Sequence, residues 1–209
     1  MQGFTMAETV LNVYSTFLNS MLHQYGYSQD DIGFLGTAFF IAVMLGGPVF
    51  GLLVGRRYKT VLIILTCLGT LSVFYLQYSS KQDNYVNIFA ALCLIGFFVG
   101  PTQPLFAELG VEVAFPASEN LIFALQQIAA SLFSAIFALT LQQFENPEDY
   151  SLSIVNWVML AWLACGILML FTFNATLKRP RHIMQVGAWT IDVVSSIQAQ
   201  VDQQPVEVL

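Results

Sequence analysis

Along the chain, long apolar runs alternate with short polar joints. Five runs carry no Asp, Glu, Lys or Arg: residues 32–55, 60–80, 84–107, 120–143 and 150–177. Each reaches the roughly 20 apolar residues a helix needs to cross a bilayer. A sixth stretch, about residues 3–24, is apolar on one side and interrupted by Glu8. In it Thr5, Glu8, Asn12, Ser15, Asn19 and His23 recur every third or fourth residue, which is the period of one helix face. Polar groups in hydrocarbon are costly, so such a stripe should face protein or a water-filled cavity. The bland alternative is an amphipathic helix lying on the membrane surface. The opposite face (Phe4, Val10, Leu11, Phe17, Leu18) is long enough to span. His23 falls at the outer end as an interfacial residue.

Composition agrees with six crossings. Of 209 residues 56% are hydrophobic and 10% charged, against roughly 25% charged in soluble domains. The mean hydropathy is +0.68. The expected class is an all-α membrane protein with six transmembrane helices, followed by a cytosolic tail over residues 180–209. No basic n-region or small-residue cleavage site marks a secretory signal. A net charge of −6 argues against nucleic acid. Six of the seven basic residues cluster at Arg56, Arg57, Lys59 and at Lys178, Arg179, Arg181. Four spans separate the clusters, so both lie on one side, and the positive-inside rule makes that side cytosolic. Asp30, Asp31, Asp83, Glu145, Glu148 and Asp149 fall on the other side. Both termini are then cytosolic, and the Asn174-Ala175-Thr176 acceptor pattern stays unused. Cys67, Cys93 and Cys165 lie inside spans without metal-ligand spacing, so they read as packing residues. No metal or cofactor is expected.

Helices associate in lipid through small residues that let backbones approach. Gly47, Gly51 and Gly55 repeat every four residues in the second span, beside a stripe of Ala38, Ala42 and Gly46. The glycine repeat reads as a tight interface, either static or sliding. The fifth span carries Gln126, Gln127, Ser131 and Ser134. Two adjacent glutamines cannot both face lipid, so at least one points inward, to a neighbouring helix or to a solute.

The fourth span breaks its own pattern with Pro101, Thr102, Gln103 and Pro104. Prolines free backbone carbonyls on the preceding turn, tolerable only against protein or a cavity, and interrupted helices line the sites of many secondary transporters. Thr102 and Gln103 therefore join Asn12, Ser15, Asn19, Gln126, Gln127 and Ser131 as candidate path residues. Glu108 lies roughly 16 Å beyond the span centre at 1.5 Å per residue, at the cytosolic interface. Glu108, Glu112 or Glu119 can pair with Arg56 and Arg57 as a cytosolic gate, or all can form a solvated ring worth little. Glu8, the single carboxylate within a span, is the one candidate for proton coupling.

The basic turn Gly51-Leu-Leu-Val-Gly55-Arg56-Arg57 resembles the C-terminal half of a major facilitator superfamily transporter, with Gly55 where the superfamily usually has Asp. Ser15-Thr16-Phe17-Leu18-Asn19, Met44-Leu45-Gly46, Gly96-Phe97-Phe98, Pro104-Leu105, Glu108, Val111-Glu112 and Pro116-x-Ser118-Glu119 resemble the FLVCR family (feline leukaemia virus subgroup C receptor-related transporters). The resemblance implies that these helices are the seventh to twelfth of a twelve-helix fold whose halves rock around a central cavity. It implies a small solute in the choline, ethanolamine or haem-related range. Choline-handling members box the ammonium with an aromatic residue on the seventh helix. Leu11 and Asn12 stand there, and Ser131 stands at a family glutamine, with Gln127 one turn earlier.

Three readings follow. The first is a secondary transporter, or its C-terminal half, completed by a missing N-terminal half or a second copy. The second is a six-helix membrane protein, truncated or partner-binding, that transports nothing. The third, an intramembrane enzyme, lacks its chemistry: no paired Asp in the spans, no HExxH and no G-x-S-x-G.

Overall fold

The computed structural model describes residues 2–23, 25–54, 58–80, 84–144 and 154–173. They form α1 (Gln2–His23), α2 (Gln29–Val54), α3 (Tyr58–Ser80), α4 (Tyr85–Val99), α5 (Thr102–Ala114), α6 (Glu119–Gln142) and α7 (Val155–Thr172). Five stretches are long and apolar enough to cross a membrane, with α4 and α5 together forming one of 30 residues, Tyr85–Ala114. The chain is a multi-pass integral membrane protein. Arg56 and Arg57 and the tail from residue 174 lie outside the described residues.

The helix starts follow local chemistry. Ser28 precedes α2, its hydroxyl accepting the Asp31 amide at 3.2 Å and donating to the Asp31 carboxylate at 2.7 Å. The bond from the Asp31 amide satisfies one of the amide groups that a first turn leaves open. Asn84 caps α4, accepting from the Val86 and Asn87 amides. Gly26, at φ +78°, turns the chain between α1 and α2 in a region that other residues rarely adopt.

α1 is the axis of the bundle. Val10, Val13, Tyr14, Phe17 and Leu22 on its apolar face are almost fully buried, packed in one cluster with Leu35 and Phe39 of α2, Ile88 and Ile95 of α4, and Met159 of α7. The helix sits within the bundle, so the surface-lying alternative is set aside. Around it α6 flanks α1, α4 runs between α2 and α3, and α7 packs on α3.

The fourth span holds a local departure. α4 stops at Val99 and α5 starts at Thr102, with Gly100 and Pro101 still near helical angles. Pro101 has no N–H for the Phe97 carbonyl, and Pro104 has none for Gly100. The Gly100 carbonyl accepts instead from the Gln103 amide at 3.4 Å, a tighter i+3 bond. The Thr102 hydroxyl donates to the Val99 carbonyl at 2.6 Å. The helix then continues to Ala114, seven residues past the expected end at Ala107.

The second span's contact differs from the sequence expectation. A Cβ on Gly46 would lie 2.5 Å from the Phe97 carbonyl oxygen, and one on Gly96 would lie 2.5 Å from that of Phe39. Gly47 and Gly51 meet nothing within 4 Å, and Gly55 lies outside the described residues. The close approach therefore belongs to the Ala42–Gly46 stripe, one position from the glycine repeat. The reason is in α4: its freed Phe97 carbonyl needs a partner without a side chain and meets Gly46, while Gly96 lets the α2 backbone at Phe39 approach.

Gly96→Leu is expected to destabilise the protein by about 1–3 kcal/mol or more through overpacking, while Gly47→Leu leaves stability nearly unchanged. Thermal unfolding in detergent, followed by circular dichroism, checks the difference. Equal losses would remove the α2–α4 contact from its role.

Candidate functional site

The polar stripe of α1 meets α6 along one edge of the bundle. Glu8 and Asn12 are half-buried there, and Ser15 and Asn19 are exposed. Asn12 Nδ2 donates to Ser134 Oγ at 3.1 Å and to Glu8 Oε1 at 3.4 Å. Gln127 Nε2 donates to the same Glu8 oxygen at 3.3 Å and to Ser131 Oγ at 3.5 Å. The Ser134 hydroxyl in turn donates to the Thr9 oxygen at 3.5 Å, and Thr9 donates to the Thr5 carbonyl at 2.7 Å. One carboxylate thus gathers two amide donors from two helices. Bonds to a charged acceptor are stronger than neutral ones, so Glu8 ties α1 to α6 while its side chain stays partly open.

The two adjacent glutamines diverge. Successive helix residues point about 100° apart at 3.6 residues per turn, so one cannot follow the other. Gln127 is exposed on the α1–α6 edge. Gln126 is fully buried, and its Nε2 donates to the Phe106 carbonyl of α5 at 3.4 Å. Gly110 makes room for it: a Cβ there would collide with the Gln126 carboxamide nitrogen.

Behind this edge α1, α3, α5, α6 and α7 line a partly open cavity of about 600 Å³. Met6, Thr66, Thr102, Leu109, Gln126 and Gly166 are among its lining residues. The candidate path residues are therefore divided. Asn12, Ser15, Asn19, Gln127 and Ser131 share the open edge. Thr102 and Gln126 line the cavity. Gln103 is half-buried on α5 and lies on neither.

At the end of the bundle where α3 begins, the Tyr58 hydroxyl donates to Glu108 Oε2 at 3.2 Å. Lys59 Nζ donates to the carbonyls of Phe173 at 2.6 Å and Phe171 at 3.3 Å. A cation capping the last carbonyls of a helix also suits its dipole, so Lys59 fixes the end of α7 to α3. Glu108 is exposed and Glu112 half-buried on α5. Glu119 is exposed in the first turn of α6, where Ser118 Oγ accepts the Leu121 amide. The expected arginine partners at 56 and 57 fall outside the described residues.

Sequence reasoning passed over Asn156. It is 5% exposed, and its Oδ1 accepts from the Tyr14 hydroxyl at 3.0 Å, joining α7 to α1. The signal was present: Asn156 is the single Asn, Gln or charged residue in α7, and such a residue in an apolar helix faces protein. Gly110 carried no such signal, because its role depends on where Gln126 lands.

Gly110→Ala is expected to lower stability by about 1–3 kcal/mol by forcing Gln126 aside. In a Gln126→Ala background the same change should cost little. Additive losses in the double variant would show that the two residues do not share the space.

Comparisons with known proteins follow the same lines. The chain is 28% identical to the choline/ethanolamine transporter FLVCR1 of Mus terricolor over 196 residues, covering 91% of this chain and 34% of that protein. It is 26% identical to the choline/ethanolamine transporter FLVCR2 of Homo sapiens over 170 residues, covering 80% of this chain and 32% of that one. Solute carrier family 49 member A3 of Xenopus tropicalis is 25% identical over 141 residues, 66% of this chain and 29% of its own. The chain thus spans about a third of the length of the curated relatives it matches. The sequence pattern of the Major Facilitator Superfamily matches residues 3–185, nearly the whole helical bundle, and the chain belongs to that family.

Proposed function

We propose that this chain forms half of a secondary transporter for a small organic solute, with the α1–α6 edge as its part of the solute path. The observation that carries the reading is the Glu8–Asn12–Gln127–Ser131 cluster, a polar hydrogen-bonded strip left open on the side of an otherwise apolar bundle. Polar groups at membrane depth are retained where they face a cavity or a substrate. A second half, from a longer polypeptide or a second copy, supplies the opposite wall. Choline and ethanolamine, the solutes in the relatives' names, are the first candidates. The Glu8 carboxylate suits an ammonium group, and Asn12 and Gln127 suit a hydroxyl.

Both termini face the cytosol in this reading, placing Arg56, Arg57, Glu108, Glu112 and Glu119 at the cytosolic mouth. There they act as a gate, the arginines pairing with a glutamate when the mouth closes. Glu8 is the site through which proton coupling runs.

Cells expressing the chain should take up labelled choline or ethanolamine above vector controls. Asn12→Ala and Gln127→Ala should each lower uptake by about tenfold or more, as expected where a site loses a hydrogen bond to its solute, at unchanged membrane abundance. A 23.2 kDa product that reaches the membrane with uptake equal to vector would move the chain to the partner-binding, non-transporting reading. Accumulation driven by an imposed pH gradient should vanish in Glu8→Gln; unchanged accumulation removes the coupling role. Arg56→Glu with Arg57→Glu should lower uptake and Glu108→Arg should restore it. Failure to restore ends the gate.

A further inference from the structure

The carboxylate at the centre of the α1–α6 edge is held through one oxygen only. Asn12 Nδ2 reaches Glu8 Oε1 at 3.4 Å, and Gln127 Nε2 reaches the same atom at 3.3 Å. A carboxamide nitrogen has two hydrogens, and each of these spends its second on a serine. Asn12 donates to Ser134 Oγ at 3.1 Å and Gln127 to Ser131 Oγ at 3.5 Å. All the amide hydrogens are thus committed, and each nitrogen's position turns the oxygen of its carboxamide elsewhere. Glu8 Oε2, Asn12 Oδ1 and Gln127 Oε1 accept no hydrogen bond among the described residues. None of these oxygens is sealed from the surface. Ser131, whose oxygen accepts from Gln127, keeps the one uncommitted hydrogen of the four side chains.

A solute at this strip therefore meets three acceptors, one of them charged, and a single hydroxyl donor. The matching chemistry is a cation with N–H groups of its own, carried beside an oxygen. A primary ammonium offers three N–H donors, and its bond to a carboxylate oxygen is of the strong, charge-assisted kind. A quaternary ammonium has none and is recognised by aromatic faces within about 6 Å. No ring belongs to the four side chains. Phe4, one turn before Glu8, is closed into the core at 4% exposed. Phe123, four residues before Gln127 and on the same face of α6, is exposed, and serves as the control for a ring-based reading.

We infer that Glu8 Oε2 selects the solute by its N–H groups, so that a small alcohol bearing a primary ammonium is taken in preference to its quaternary counterpart. The inference rests on the reading of this edge as the solute path, and it ranks the two solutes named there.

The test uses the full 209-residue chain in lipid nanodiscs, with labelled ethanolamine as the probe. Unlabelled ethanolamine, its monomethyl and dimethyl forms and choline compete for it. Affinity should fall at each methyl step and be about tenfold or more lower for choline, as when a charged group loses its hydrogen bond. Size is controlled with tert-butylammonium and tetramethylammonium, which are near-equal in bulk and differ in N–H groups; the first should displace the probe better. Glu8→Gln should weaken ethanolamine by about tenfold or more and level the series, while Phe123→Leu leaves it unchanged. Helix content and thermal midpoint of both variants are matched to the parent before binding. Choline equal to or tighter than ethanolamine overturns the inference, as do equal displacement by the size-matched pair and a series unaltered in Glu8→Gln. Displacement by sodium at the concentrations where ethanolamine acts, or no ethanolamine binding at all, overturns it too. Transport is scored separately. Binding in the expected order with uptake equal to vector keeps the inference and removes transport, whereas uptake that favours choline keeps transport and removes the inference.

Discussion

The contact between Gly46 and the broken turn of the fourth span is the constraint on which the rest depends. A proline in a membrane helix leaves a carbonyl unbonded, and hydrocarbon cannot satisfy it. Here the Phe97 carbonyl is covered by α2, at a point where any side chain would collide, and Gly96 returns the approach against Phe39. Two backbones brought this close exclude lipid from the break and fill the space by dispersion contacts, the force that holds helices together where lipid competes equally for apolar surface.

The break has consequences downstream. Because the helix resumes as α5, its residues pack on α1, α3 and α6. The Phe106 carbonyl and Gly110 are thereby set opposite Gln126, and Thr102 is placed on the cavity wall. Local proline chemistry thus shapes a space shared with other helices.

The polar residues are sorted into two compartments. Glu8 draws Asn12 and Gln127 to an edge that stays open, while Gln126 closes an interior space one residue away. One carboxamide thus faces the α1–α6 edge and the next faces α5.

The helices themselves were legible in the sequence, because crossing a bilayer demands length and apolarity that few other constraints imitate. The polar stripe of α1 was legible for the same reason: its 3.6-residue period has one physical cause. The partner of each polar group was not. The sequence put Gln126 and Gln127 together, but their 100° separation and the position of α5 sent one to Phe106 and the other to Glu8. Likewise it showed a Gly47–Gly51 repeat, whereas the rotation of α2 against α4 gave the close contact to Gly46. Membrane solvation acts on each helix alone, so sequence determines it. Rotation and pairing arise between helices, where one residue of phase decides which atoms meet, so only the tertiary structure decided them.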